Sequence, residues 1–126
     1  MKITAFNPVI VTKDPESIIA LFEALGFERR HTKEGINGED ITSVDMKNPD
    51  GFRVSVVKAQ TPNITQDMTS IRMNVRDFDE AYQFLLERGF KNAQGGRITD
   101  TGSSKAIMMI SPSGFSISLI QHIKKQ

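Results

Sequence analysis

The chain contains no cysteine and no tryptophan, a single tyrosine, and only two histidines, His31 and His122. Without thiols there are no disulfides, thiolate metal centres, iron–sulfur clusters or cysteine nucleophiles. Two imidazoles leave little for a histidine-rich metal site. No apolar run approaches the ~18 residues that a membrane span needs. The opening residues, Met-Lys-Ile-Thr-Ala-Phe, form no secretory h-region. The expectation is a soluble cytoplasmic protein with no membrane partner. An excess of one charge is also missing. Lysine and arginine total 16 against 15 aspartates and glutamates, a net charge of +1. That balance gives no case for a nucleic-acid partner, which usually meets a basic stripe. What is present is 126 residues, 38% of them apolar, enough for one globular domain.

The chain repeats itself. Asp14 matches Asp77, Gly26-Phe27 matches Gly89-Phe90, and Met46 matches Met109. Pro49 matches Pro112, Gly51-Phe52 matches Gly114-Phe115, and Ser55 matches Ser118. Every pair is separated by 63 positions, without a gap from about residue 5 onward. The single domain, residues 1–126, therefore divides into modules at 1–60 and 68–126. A polar, turn-rich linker at 59–67 joins them.

Both modules carry the same order of elements. In the first, residues 6–12 read as an apolar, β-branched strand. Asp14 and Pro15 then suit the N-cap and first turn of a helix. Ile18, Leu21, Phe22 and Leu25 form a helical stripe, and Gly26 stops it. In the second, residues 71–75 are the strand, and Asp77 with Glu80 makes a capping box. Ala81, Phe84 and Leu85 form the stripe, Gly89 ends the helix, and Tyr82 falls off the stripe as a candidate interface residue. Three strand candidates follow each helix: 28–33, 41–46 and 52–58, then 91–94, 106–111 and 115–122. Asn37-Gly38 predicts a tight hairpin. The fold class is α+β, βαβββ twice.

This doubled pattern resembles the vicinal oxygen chelate superfamily, which includes glyoxalase I, bleomycin-resistance proteins and extradiol dioxygenases. The markers are Lys13-Asp14, Leu25-Gly26-Phe27 and Asn48-Pro49-Asp50-Gly51-Phe52, echoed by Asp77, Gly89-Phe90 and Pro112-Ser113-Gly114-Phe115. The resemblance implies a curved eight-stranded cup with the helices outside, and a homodimer. In the superfamily's metal enzymes, ligands come from the first and last strands of each module. Carried over, those positions are Asn7, Ser55, Ser70 and Ser118. None is histidine, aspartate or glutamate, so neither a metal nor another cofactor is expected.

Strand alternation extends this set. If these four face the cup, so do Arg53, Arg72, Asn74 and Ser116, with His122 at the rim. Val54, Val56, Ile71, Met73, Val75, Ile117 and Leu119 then lie under the helices. The candidate ligand-binding residues are thus Asn7, Arg53, Ser55, Ser70, Arg72, Asn74, Ser116 and Ser118. Two cations without a carboxylate suit a small anionic or polar ligand. In the competing reading, both arginines reach out to solvent at strand edges.

Other candidates are read first as ordinary structure. His31 reads as a solvated histidine and His122 as a terminal surface residue. Glu34, Glu39, Asp40 and Asp45 read as a charged hairpin, with an acid–base role as the alternative. Met46, Met73, Met108 and Met109 are core filler, though one or two could line a pocket. Ser103-Ser104 and Gly95-Gly96 complete no nucleophile or dinucleotide pattern. Three functions remain open. They are a metal-free small-molecule binder, a diverged glyoxalase-like lyase or other superfamily enzyme with displaced catalytic residues, and a regulatory or structural module.

Overall fold

The repeat in the sequence becomes a repeat in the hydrogen bonding. The computed structural model describes residues 1–34, 41–59, 65–100 and 102–123. The Asn37-Gly38 turn, Glu39, Asp40 and residues 60–64 of the linker lie outside the described residues. Among the described residues, nine strands and two helices make a mixed α+β fold. They are β1 (Ile3–Thr12), α1 (Pro15–Ala24), β2 (Glu28–Glu34), β3 (Ile41–Lys47), β4 (Arg53–Lys58), β5 (Met68–Val75), α2 (Phe78–Glu87), β6 (Lys91–Asn92), β7 (Thr99–Asp100), β8 (Ser104–Ile110) and β9 (Ser116–His122). Among the described residues, no helix is long and apolar enough to cross a membrane.

The chain forms two compact units. Module one is Asn7–Thr69, and module two is Ser70–Gln126 together with Met1–Phe6. The first six residues side with module two, where the Arg76 amide donates to the Lys2 carbonyl at 3.0 Å. In module one the strand order is β2-β3-β4-β1. β2, β3 and β4 are antiparallel, while β1 runs parallel to β4 with Val9 opposite Ser55. In module two the order is β5-β9-β8-β6, with β7 also on β8. There β5 runs parallel to β9, with Arg72 opposite Ser118. Both residues of that pair stand 63 positions after their counterparts.

Nine strands occur where eight were expected, because the strand predicted at 91–94 breaks. Gly95 and Gly96 take φ of 68° and 91°. Left-handed backbone cannot continue a strand. β6 is the two-residue remnant, β7 adds a two-residue strand beyond the glycines, and both pair with β8.

Each helix packs on one sheet face and is capped alike. The Asp14 carboxylate accepts from the Ser17 amide at 3.2 Å, and that of Asp77 from the Glu80 amide at 3.1 Å. At the other end, Phe27 N donates to Phe22 O (2.9 Å) and Phe90 N to Leu85 O (3.1 Å). These bonds wrap over Gly26 and Gly89, whose φ values of 101° and 89° make the C-terminal turn. Under α1 lie Ile19, Val44, Met46, Val54 and Val56, flanked by Ile10, Ile18 and Phe22. Under α2 lie Phe78, Ala81 and Leu85 with Met73, Val75, Ile107, Met109, Ile117 and Leu119. Burying these side chains, each worth about 1.5–3 kcal/mol of transfer free energy, holds helix to sheet.

Two helix-face assignments change. Leu21 and Leu25 are 52% and 63% exposed, and Phe84 is 40% exposed. The buried face of α1 is centred on Pro15 and Ile19, because the apolar residues cover most of this helix and do not fix its rotation. Tyr82, expected off the stripe, packs against the module-two core. Its ring stacks on Phe78 at 5.8 Å, and its hydroxyl accepts from Asn92 Nδ2 at 3.2 Å.

The entry to α2 is held from the sheet. Gln121 Oε1 accepts from the Phe78 amide (2.9 Å), and its Nε2 donates to the Arg76 carbonyl (2.7 Å). Gln121 therefore takes the helix side of β9, and its neighbour His122 takes the other side.

Candidate functional site

The sheet face away from each helix carries the polar residues, as alternation predicts. In module one, Asn7 and Ser55 are buried. Asn7 Nδ2 donates to Ser55 Oγ at 3.1 Å and to the Pro8 carbonyl at 2.9 Å. Ser55 Oγ donates onward to Asp45 Oδ1 at 2.9 Å. Asp45 stands opposite Ser55 in the β3–β4 register. Sequence reasoning had placed Asp45 with the hairpin acids. The turn at 48–51 was the available signal, since a strand pair folded there sets 45 against 55. His31 is the Cα partner of Asp45 on β2; its side chain and that of Glu34 lie outside the described residues.

Arg53 is exposed at the end of β4, opposite Lys47. Like charges directly across a strand pair repel, which favours an outward guanidinium. The structure does not bond it to Asn7, Ser55 or Asp45.

In module two the equivalent pair is Ser70 and Ser118. Ser70 Oγ donates to the Ser116 carbonyl at 3.0 Å and lies 3.4 Å from Ser118 Oγ. With its one proton committed to Ser116, Ser70 accepts in the second contact. Ser116 enters this cluster through its backbone, while its residue as a whole is buried. Arg72 is half-buried, and its Nε donates to the Oδ1 of buried Asn74 at 3.0 Å. Arg72 Nη2 lies 3.4 Å from His122 Nε2. The structure therefore joins Ser70, Ser116 and Ser118 in one group and Arg72, Asn74 and His122 in another, on the same strands. Met108, opposite Ser118, shares this face, and Met46, Met73 and Met109 are core.

A cavity of about 170 Å³ opens beside α1, lined by Thr12, Lys13, Asp14 and Ser17 and by 65–67. None of the eight candidate residues lines it. Asp14 already caps the helix there.

The comparisons with known proteins follow this geometry. No family model and no curated protein matches the chain. Solved structures do. A glyoxalase/bleomycin resistance protein/dioxygenase superfamily member from Vibrio splendidus 12B01 superposes with a TM-score of 0.59 at 20% identity, over 93% of this chain and 97% of that one. Methylmalonyl-CoA epimerase from Mycobacterium tuberculosis gives a TM-score of 0.69 at 13% identity, over 97% and 90%. Glyoxalase I from Zea mays gives 0.65 at 16% identity, where 98% of this chain covers 45% of that longer one. The fold is that of the vicinal oxygen chelate superfamily.

Within this glyoxalase-like fold, the four positions that the resemblance implied, Asn7, Ser55, Ser70 and Ser118, bring one amide and three alcohols. They do not suit a divalent ion. Such ions favour carboxylate or imidazole donors, and here the four groups are neutral and bonded in pairs, Asn7 to Ser55 and Ser70 to Ser118. Among the described residues, no three of His, Cys, Asp and Glu cluster as a metal site. Asp45, a carboxylate at this face of module one, holds the Ser55 hydroxyl.

Proposed function

We propose that the protein binds a small anionic or polar molecule on the helix-free face of module two, without a metal ion. The single observation that carries this reading is the Arg72 guanidinium, held by Asn74 on strand faces that also carry the Ser70 and Ser118 hydroxyls. A half-buried guanidinium is electrostatically stronger than one in water. Its planar fork matches the two oxygens of a carboxylate or the edge of a phosphate or sulfate. Ser118 and Ser70 add neutral hydrogen bonds without cancelling the charge. The Asn74 bond fixes the guanidinium plane, so less rotamer entropy is lost on binding.

The test is a binding screen of small carboxylates, phosphates and sulfates beside neutral and cationic compounds. Anions are expected among the hits, and Arg72→Met should weaken them by tenfold or more, about 1.4 kcal/mol. Hits indifferent to both Arg72→Met and Arg53→Met would sink the reading.

A second reading rests on Asp45. A carboxylate accepting the proton of a buried serine is a candidate general base, as in a superfamily enzyme with displaced catalytic residues. Stoichiometric metal in protein purified without chelator, or turnover lost in Asp45→Asn, would favour it over simple binding.

A further inference from the structure

We propose a second anion site, on module one, where Lys47 and Arg53 together hold a phosphate group. It is independent of the role proposed for Arg72. Lys47 and Arg53 are Cα partners on the rung of the β3–β4 ladder nearest the hairpin turn. Alternation sets Lys47 on the same face as Asp45, and Arg53 on the same face as Ser55, away from α1. Beyond them the turn is closed twice. The Asn48 amide donates to the Phe52 carbonyl at 3.0 Å, and the Phe52 amide donates to Asn48 Oδ1 at 2.8 Å. Both cationic stems therefore start from fixed backbone.

Like charges directly opposite on a strand pair cost stability, and the scaffold does not call for this pair. The same rung of module two, 63 positions on, sets Ile110 opposite Ser116. That hairpin closes without a cation. The acids nearby do not pair with Lys47 or Arg53 either. Among the described residues, neither cation forms an ion pair or a side-chain hydrogen bond. This holds although Glu28 stands opposite Lys47 on β2 and Asp50 lies in the turn. Asp45, on the next rung of this face, holds the Ser55 hydroxyl at 2.9 Å. A local rule broken without compensation inside the fold is a mark of a site that meets its counter-charge from outside.

The two groups differ in a way that selects the ligand. Cross-strand partners have Cα atoms about 5 Å apart, so an ammonium and a guanidinium can close on one small anion. The guanidinium fork takes two oxygens in its plane, and the ammonium takes a third as a point charge. A tetrahedral dianion supplies three oxygens and matches both charges. A carboxylate supplies two oxygens and half the charge.

The test is an NMR titration at low ionic strength, because salt screens exposed cations. It is run at about pH 8, where a phosphate is mainly a dianion. Inorganic phosphate, glycerol phosphate and acetate are each added to the wild type, Lys47→Gln, Arg53→Gln and the surface control Lys91→Gln. Saturable amide shifts are expected at residues 46–48 and 52–54. Phosphate affinity should fall about tenfold in Lys47→Gln and in Arg53→Gln, the scale of one lost charge contact near a protein surface, and persist in Lys91→Gln. Acetate should bind about tenfold more weakly than phosphate. Shifts that spread to residues 43–45 and 55–57 with glycerol phosphate would support the site and assign it an esterified ligand; shifts held at the two cations would support it for the free ion. Shifts that do not saturate, that survive either substitution, or that acetate reproduces at equal affinity would overturn the proposal. Saturable shifts confined to residues 70–74 and 116–118 would overturn it and leave the Arg72 reading standing.

Discussion

The two modules share a backbone and differ in the chemistry they present. Equivalent strands pair in equivalent registers, and Asn7–Ser55 recurs as Ser70–Ser118. Even the turns correspond. Asn48 Oδ1 accepts from the Phe52 amide at 2.8 Å, and Ser111 Oγ accepts from the Phe115 amide at 3.1 Å. Around this common frame the charges part. Module one has Asp45 where module two has Met108, and Val9 and Val11 where module two has Arg72 and Asn74. A duplicated scaffold has kept the residues that set its geometry and varied those on the open face. The contrast teaches that the sites of the two halves cannot be read from each other, although their cores can.

The largest expected effect probes the cores. Phe78 is 1% exposed and stands where module one has Pro15. Phe78→Ala should lower the unfolding free energy by about 3–5 kcal/mol in urea denaturation, the range for deleting a buried ring. Ile19→Ala in module one should cost about 2–5 kcal/mol. A loss under 1 kcal/mol for Phe78→Ala would show that α2 does not rest on that ring.

The helix-ending glycines sharpen the comparison. Both have positive φ, so alanine costs about 1–2 kcal/mol at either. At Gly26 an added Cβ meets nothing within 4 Å, whereas at Gly89 it comes within 2.9 Å of Pro112 Cγ. Gly89→Ala should exceed Gly26→Ala by about 1–3 kcal/mol, the cost of overpacking, in the same denaturation assay. Equal losses would mean that the Pro112 ring moves aside freely.

Moving the acid of module one into module two breaks the contrast directly. Met108→Asp sets a carboxylate opposite Ser118 on the Arg72 face. Affinity for sulfate should drop by about tenfold or more, the scale of a like-charge contact at a half-buried site. Unchanged affinity would place the anion away from this face. The smallest effect is expected at the N-caps, where Asp14→Ala and Asp77→Ala should each cost about 1 kcal/mol by thermal denaturation. A marked inequality there would show that the two helix starts are less alike than their hydrogen bonds.

Much of the fold was legible because alternation and turn chemistry are local. Ile71, Met73, Val75, Ile117 and Leu119 lie under α2 as their alternation predicts. The face of α1 was not legible from that helix alone, since Ile18, Ile19, Leu21, Phe22 and Leu25 satisfy more than one rotation. The repeat held the answer. Phe78, Ala81, Tyr82 and Leu85 correspond to Pro15, Ile18, Ile19 and Phe22, the residues that α1 turns inward. Pairing the helices would also have placed Tyr82 inside. At the candidate site, residue types and strand faces were legible, but specific partners were not. Joining Arg72 to His122 needs two strands distant in sequence to be set side by side. Joining Asp45 to Ser55 needs the turn register to be counted through.

Gln121 and His122 are consecutive residues with opposite duties. One is tied to the backbone that starts a helix; the other stands beside the cation of the opposite sheet face. Whatever repositions the last residues of β9 is felt on both sides of the sheet at once. Any substitution made at Gln121 to adjust the helix start is therefore also an adjustment of where the imidazole stands. In this half of the protein, scaffold and recognition are separated by a single peptide bond.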